Sequence, residues 1–282
     1  MNVDTTYKAL VQHILNHGQD VPDRTGVGTR SVFGYQMRFD LRDGFPLVGL
    51  KRTFWKGAFV EMLWMLRGRT DVHYLHEYGV RIWDEWADET GDLGPVYGHQ
   101  WRQWGADPIY GVDQLAQLIE GLRIDPRSRR HVMSAWNPEE LPLPGLVPND
   151  QPAYGRMALA PCHCLVQFHV DADYRLHCQL YQRSADVFLG VPFNIAGYAL
   201  LTHLLAHHLG YGVGDFIHTL GDAHLYQNHL AQASEMVERD PTPTPRLVMQ
   251  HELHCPVDEV IPADLYIEGY EPHPAIKGEV AV

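Results

Sequence analysis

Apolar residues recur at helical spacing from Val3 to His17, at Tyr7, Leu10, Val11, Ile14 and Leu15, and predict an amphipathic helix. The pattern then breaks. Asp23–Thr29 (DRTGVGT) sets two glycines in a polar stretch and predicts a turn. Ser31 to Asp40 alternates as a strand does. Phe54 to Arg67 is strongly apolar and predicts a buried helix. Another helix is expected over Val112–Leu122, stopped by Asp125-Pro126, and a strand over His131–Trp136. Cys162–Val170 and Arg175–Arg183 predict neighbouring strands joined by a turn at Asp171–Asp173. Asn194–Leu209 predicts a long apolar helix. Pro241, Pro243 and Pro245 end the next helix and lead into a final strand region. Strands and helices follow no regular βαβ rhythm, which predicts an α+β fold with one large sheet rather than a dinucleotide-binding arrangement. The stretch at about 138–156 is rich in Pro, Gly, Asn and Asp. Core patterning resumes directly after it, so a surface loop insertion within a single domain, 1–282, is expected.

Charge narrows the possible partners. Lys and Arg number 22 against 35 Asp and Glu, a formal net charge of −13. Such a chain is poorly suited to nucleic acid as main ligand, since that binding rests on Lys and Arg neutralising phosphates. It can still bind one small anion if a few arginines converge. No apolar run approaches the roughly 20 residues a membrane span needs, so no membrane partner is expected. The first twelve residues lack the basic region and apolar core of a signal peptide. Four cysteines, Cys162, Cys164, Cys178 and Cys255, are too few for a disulfide framework. Reduced thiols in the cytoplasm are the expectation.

Four segments carry candidate chemistry. Ala160-Pro161-Cys162-His163 offers a nucleophile, provided a nearby cation stabilises the thiolate, and Arg183 at the end of the next strand could supply it. Taken alone, an apolar-flanked cysteine is more often an inert core residue. Gln182-Arg183-Ser184-Ala185-Asp186, followed by Phe188–Asn194, gathers Arg and Ser suited to phosphate and an Asn whose amide suits a uracil edge. The same stretch also reads as a strand end plus a helix N-cap at Asn194. Arg24 and Ser128-Arg129-Arg130 could meet a phosphate, although an Arg pair is more often a solvated face. Trp83 and Trp86, beside carboxylates and ahead of Gly94–Gly98, could floor a flat ligand's site or simply pack in the core. Three metal-like patterns are incomplete. His203 and His207 lack a third ligand, His251-Glu252-Leu253-His254 is one residue too short, and Cys162-His163-Cys164 offers two thiols on one strand face. No metal is expected.

Together these segments resemble the thymidylate synthase family. The matching runs are DRTG (23–26), FGYQMRFDL (33–41), IWDEWADETGDLGPVYG (82–98), SRR (128–130), MALAPCH (157–163), QLYQRSADVFLGVPFNIAGYALL (179–201), HLYQNH (224–229) and GYEPHPAIKGEVAV (269–282). The resemblance covers nearly the whole chain, in family order. It implies one α+β domain with a large mixed sheet flanked by helices, forming a homodimer through the sheet faces. It also implies reductive methylation of deoxyuridine monophosphate (dUMP) to dTMP at C5. The carbon donor and hydride source would be 5,10-methylenetetrahydrofolate, leaving dihydrofolate.

On this resemblance Cys162 is the nucleophile that adds to C6 of dUMP. Arg183, Ser184, Arg24 and Gln182 belong to the dUMP site. Arg129 and Arg130 reach the phosphate bound in the partner subunit. Asn194 reads the uracil edge, and His224 and Tyr226 bond the sugar. Glu61 organises proton transfer, and Tyr97 lies near the C5 proton. Asp186 holds the folate pterin, with Ile82, Trp83, Leu189, Gly190, Phe193 and Ala281 around the folate. Cysteine addition turns the ring into an enolate, so one hard step becomes two easier ones.

Some positions depart from the family pattern: Gly49 and Leu50 in place of two threonines, Val60 before Glu61, Gly197, Leu220, Glu279 near the tail, and the long 138–156 loop. The alternative within the same chemistry is a dUMP hydroxymethylase, in which water rather than hydride quenches the methylene. Trp83 as a shield against water favours the synthase, whereas Asn194 favours uracil over cytosine and does not separate the two. A non-catalytic binding protein is the reading from another class, and the intact Cys162, Arg183, Asn194 and Tyr97 speak against it.

Overall fold

The computed structural model describes residues 2–105, 110–249 and 255–280. The first helix, α1 (Val3–His17), begins where the Asn2 side chain accepts the Asp4 N–H and ends at Gly18. Its Val3, Tyr7, Leu10, Val11 and Ile14 are buried on one stripe. A short β1 (Gln19–Val21) and a long β2 (Thr29–Asp40) follow, then α2 (Trp55–Leu66), buried through most of its length. Three short helices come next, α3 (His73–Glu77), α4 (Tyr97–Arg102) and α5 (Gln114–Ile124). The chain continues through β3 (Val132–Ser134), β4 (His163–Val170), β5 (Arg175–Asp186), the 20-residue α6 (Gly190–Leu209) and β6 (Gly212–Tyr226). It closes with α7 (Leu230–Val237), β7 (Arg246–Met249) and β8 (Leu265–Glu268).

The six-stranded sheet runs β1-β2-β6-β5-β4-β3, and β7 and β8 form a separate ribbon. Only β5 and β6 pair in parallel within the large sheet, joined by α6 as crossover helix. The fold is therefore α+β with one mixed sheet, as the patterning predicts. Phe216, His218 and Leu220 of β6 alternate into the core against α6, and α1 packs on β2. The opposite face carries Gln36, Arg38, Leu165, Gln179 and Tyr181, all exposed, and no described helix lies over it. No described helix is long and apolar enough to cross a membrane.

Three sequence expectations are corrected. The long apolar helix starts at Gly190, not Asn194, because the Asp186 carboxylate accepts the Phe188 and Leu189 N–H groups ahead of it. Asn194 therefore sits in the second helical turn and is no N-cap. The pattern gives no strand over Gly212–Tyr226, yet this is the longest strand described; its Gly, His, Asp and Thr residues hide the alternation. A β-bulge between His163 and Leu165 breaks the alternation of β4, so that His163 and Cys164 are both buried.

One buried carboxylate ties the chain's beginning to its end. Asp4 accepts the Gly49 N–H at 2.7 Å, the Leu50 N–H at 3.3 Å, and both the N–H and hydroxyl of Thr242 at 2.9 Å. Gly49 is required there, because a Cβ would stand 1.9 Å from Thr242 Oγ1. Its carbonyl accepts the His273 N–H at 2.9 Å, so the same loop anchors the C-terminal segment. Asp4→Ala strands several buried donors. It is expected to lower stability by about 3 kcal/mol, measurable by denaturant unfolding; a change below about 0.5 kcal/mol would show that the clasp is dispensable.

Candidate active site

The chemistry collects at the end of the sheet where β4 begins and β5 ends. Cys162 stands just before β4, its carbonyl accepting the Arg183 N–H at 2.8 Å. The Arg183 guanidinium turns back on the same segment. Its Nε donates to Pro161 O and its Nη2 to Ala160 O, both at 2.8 Å, and it lies 5.4 Å over the Trp136 ring. Three contacts thus fix a cation beside the thiol, as the sequence suggests. Burial nevertheless pushes the Cys162 thiol above its ordinary value, against the pull of Arg183 and Arg24. A thiol so raised holds its proton at neutral pH and could attack only after losing it.

Tyr97 and Glu61 stand on the other side. The Cys162 N–H donates to the Tyr97 hydroxyl at 2.8 Å. Burial holds that phenol well above its usual range, so it keeps its proton. Its ring stacks on His163 at 4.1 Å. Burial drives His163 down to about 3 and leaves it neutral, with Nδ1 facing the Tyr198 hydroxyl at 2.8 Å. Burial also raises the Glu61 carboxyl to about 7, while the Trp83 indole N–H, donating at 2.8 Å, favours its ionised form. Trp83 packs among Trp64, Trp86 and Tyr97.

Arg24 is exposed on the 23–28 turn, where the Asp23 carboxylate accepts from Thr25 and from the Gly28 N–H and Gly26 and Gly28 take positive φ. Its charge acts on both Cys162 and Tyr226, which places it on the site's rim. Ser184 is half-buried in β5. Gln182 is buried, its amide donating to Ser184 O at 3.0 Å and accepting from His218 Nε2 at 2.8 Å. It holds the strand rather than facing solvent. His224 bonds Asp222 through Nδ1 at 2.8 Å and meets Tyr226 edge-on. Asn194 shares a small cleft with Ala58, Glu61, His163, Phe193 and Tyr198.

Arg129 and Arg130 do not join this group. They are exposed, and β3 behind them pairs Val132 with Gln167. Gln167 lies five residues from Cys162, roughly 17 Å along the strand. Ala281 lies outside the described residues, as does His251–His254. Among the described residues no group of three or more His, Cys, Asp or Glu could hold a metal ion.

Sequence reasoning missed several residues. Trp136 under Arg183 lies in none of the matching runs, and Tyr198 behind His163 lies within the 179–201 run but receives no role from the resemblance. Lys51 is buried 4.5 Å over the Phe188 ring; burial lowers it to about 8, and Asp186 partly opposes that. A lone lysine before an apolar helix was its only signal.

Ile82, Leu189 and Phe193 are half-buried apolar side chains packed against the core. One Asp186 oxygen caps α6, and the other makes no hydrogen bond with a described residue. A cysteine and a pinned arginine thus meet at a sheet end, near a carboxyl raised to about 7 that accepts from an indole N–H. The sequence model of the thymidylate synthase family matches residues 5–282, and the chain belongs to that family. Its members are folate-dependent methyltransferases with methylenetetrahydrofolate as co-substrate.

Glu61 gives a pH test. Its folded value is raised, so its contribution to stability is complete below about 4.5 and is lost as pH rises through about 7. Glu61→Gln is expected to flatten the stability profile between those values and to slow turnover roughly 100-fold or more. Unfolding curves across pH 4–8 check the first effect, and a variant that keeps the wild-type slope would remove Glu61 as its source.

Proposed function

We propose that the protein converts dUMP to dTMP, with 5,10-methylenetetrahydrofolate as carbon donor and reductant. The observation that carries this reading is Arg183, pinned to Ala160 O and Pro161 O and acting directly on the Cys162 thiol. A guanidinium so held can neutralise a phosphate and favour the thiolate in one place. Sulfur bonds to C6 of the pyrimidine, and electron density moves to the ring carbonyl, making C5 a nucleophile. Asn194, facing the Glu61 cleft from α6, offers the donor and acceptor that match the uracil edge. The bound folate supplies the one-carbon unit and the hydride. Glu61, poised near 7, can pass a proton at neutral pH, and the Tyr97 hydroxyl can take part in removal of the C5 proton. Trp83 and its aromatic neighbours exclude water from the reacting centre.

We further propose a homodimer built on the uncovered sheet face. Arg129 and Arg130, exposed just ahead of β3, would then complete the partner's phosphate site.

The activity test mixes protein, dUMP and methylenetetrahydrofolate, follows dihydrofolate absorbance and weighs the nucleotide. The expected result is dTMP with an absorbance rise. Cys162→Ser is expected to lose at least about a thousandfold in turnover while retaining dUMP binding; unchanged turnover sinks the mechanism. A hydroxymethylated product without the rise would mean that water captures the intermediate.

The dimer has its own test. Arg130→Ala and Cys162→Ser, each inactive alone, should recover activity when mixed under exchange conditions, because one hybrid site is intact. No recovery despite proven exchange would place the arginine's role within its own subunit.

A further inference from the structure

The insertion at 138–156 takes no part in the chemistry above, yet it is built as a tightly bonded unit. At its base the Glu140 carboxylate accepts from the side-chain amides of Gln100 and Asn137, and its carbonyl accepts the Met157 N–H at 2.9 Å. At its centre Gln151 is 1% exposed. Its side chain accepts the Leu143 N–H at 2.8 Å and donates to Leu143 O at 3.0 Å and Leu146 O at 3.2 Å. A buried amide satisfied this fully fixes the loop's path. Where the loop exits, a Cβ on Gly94 would lie 2.1 Å from Arg156 O, so the two backbones are in direct contact.

The middle of the loop reaches outward. Asn149, in the 3-10 turn Pro148–Asp150, donates both amide hydrogens, to Glu85 O at 3.1 Å and Ala87 O at 2.7 Å. Those carbonyls belong to the end of the 3-10 turn Asp84–Trp86, whose first capping residue is Trp83. Trp83 in turn packs on Trp64, Trp86 and Tyr97 and donates to Glu61. A chain of bonds therefore runs from Gln151 through Asn149 and the Asp84–Trp86 turn to Trp83 and Glu61.

We infer that the insertion is a brace for the folate wall, and that Asn149 is a positioning residue acting through the Asp84–Trp86 turn on Trp83. The inference rests on the proposed function, in which Trp83 lines the folate site and keeps water out. Two carbonyls clamped by one amide stop the turn from pivoting. Released, the Trp83 ring can shift and open a path for water, and small displacements of a positioning group carry large catalytic cost.

The test compares wild type with Asn149→Ala, Gln151→Ala and Tyr154→Ala; Tyr154 is 62% exposed on the same loop and is the control. Kinetics are run separately in folate and dUMP, dUMP binding is measured without folate, and products are weighed. Asn149→Ala, which removes both clamping hydrogen bonds, is expected to raise KM for folate about fivefold. KM for dUMP and the binding of dUMP alone should stay within twofold. The hydroxymethylated share of product should rise. Gln151→Ala should change the same quantities further, and Tyr154→Ala should match wild type. Unchanged folate KM and product ratio in Asn149→Ala would overturn the inference. So would a fall in kcat and in both affinities together with a lower melting temperature, since that pattern marks general loss of fold. Wild type that makes no dTMP would overturn the parent reading and this inference with it. Normal wild-type turnover beside an unaltered Asn149→Ala variant would overturn the inference alone.

Discussion

Arg183 is bound to the very segment that carries Cys162. Its guanidinium spends two donors on Ala160 O and Pro161 O, and its backbone N–H closes on Cys162 O. The loop that carries Cys162 is thereby fastened to β5 by the side chain that supplies the positive charge. A more mobile cation would stabilise a thiolate only while it happened to be near. Trp136 beneath the guanidinium limits its freedom further. The bulge at the start of β4 belongs to the same arrangement, because it lets Cys162 leave the strand while His163 and Cys164 both turn into the core.

Around that anchor, burial decides protonation. His163 and His218 stay neutral, Tyr97 and Tyr198 keep their protons, and Glu61 is brought to where it can exchange one near neutral pH. A neutral belt leaves the field at the thiol to the two arginines and the opposing Asp186. An acidic protein can thus build a local anion site without a basic surface, since nearby charges outweigh distant ones screened by solvent.

The outer parts are held by clasps at a few polar side chains. Asp4 joins the 49–50 loop to Thr242, and the same loop holds the C-terminal segment through His273. Further along that segment His229 Nε2 bonds Glu279 O at 2.8 Å. That bond uses a backbone carbonyl, so Glu279 can stand where proline is usual without losing it. Leu220 is buried among core residues of β6, so its bulk serves packing.

Much of this was legible in the chain itself. Spacing alone marks α1 at its observed ends, because one face of that helix is buried and the other is not. β4 and β5 alternate for the same reason, and the motifs around Cys162 and Arg183 mark residues that the fold brings together. The start of α6 could not be read, since it depends on Asp186 folding back to cap two N–H groups. Nor could β6, whose polar residues lie between neighbours on both sides. The sequence determined which groups exist and the order in which the chain presents them, because periodicity and motif are local properties. Tertiary structure alone decided which of them meet and which are charged. It set Glu61 against the Trp83 indole and Trp136 under Arg183 and left Arg129 and Arg130 exposed ahead of β3, because contact and desolvation arise only when distant segments pack together.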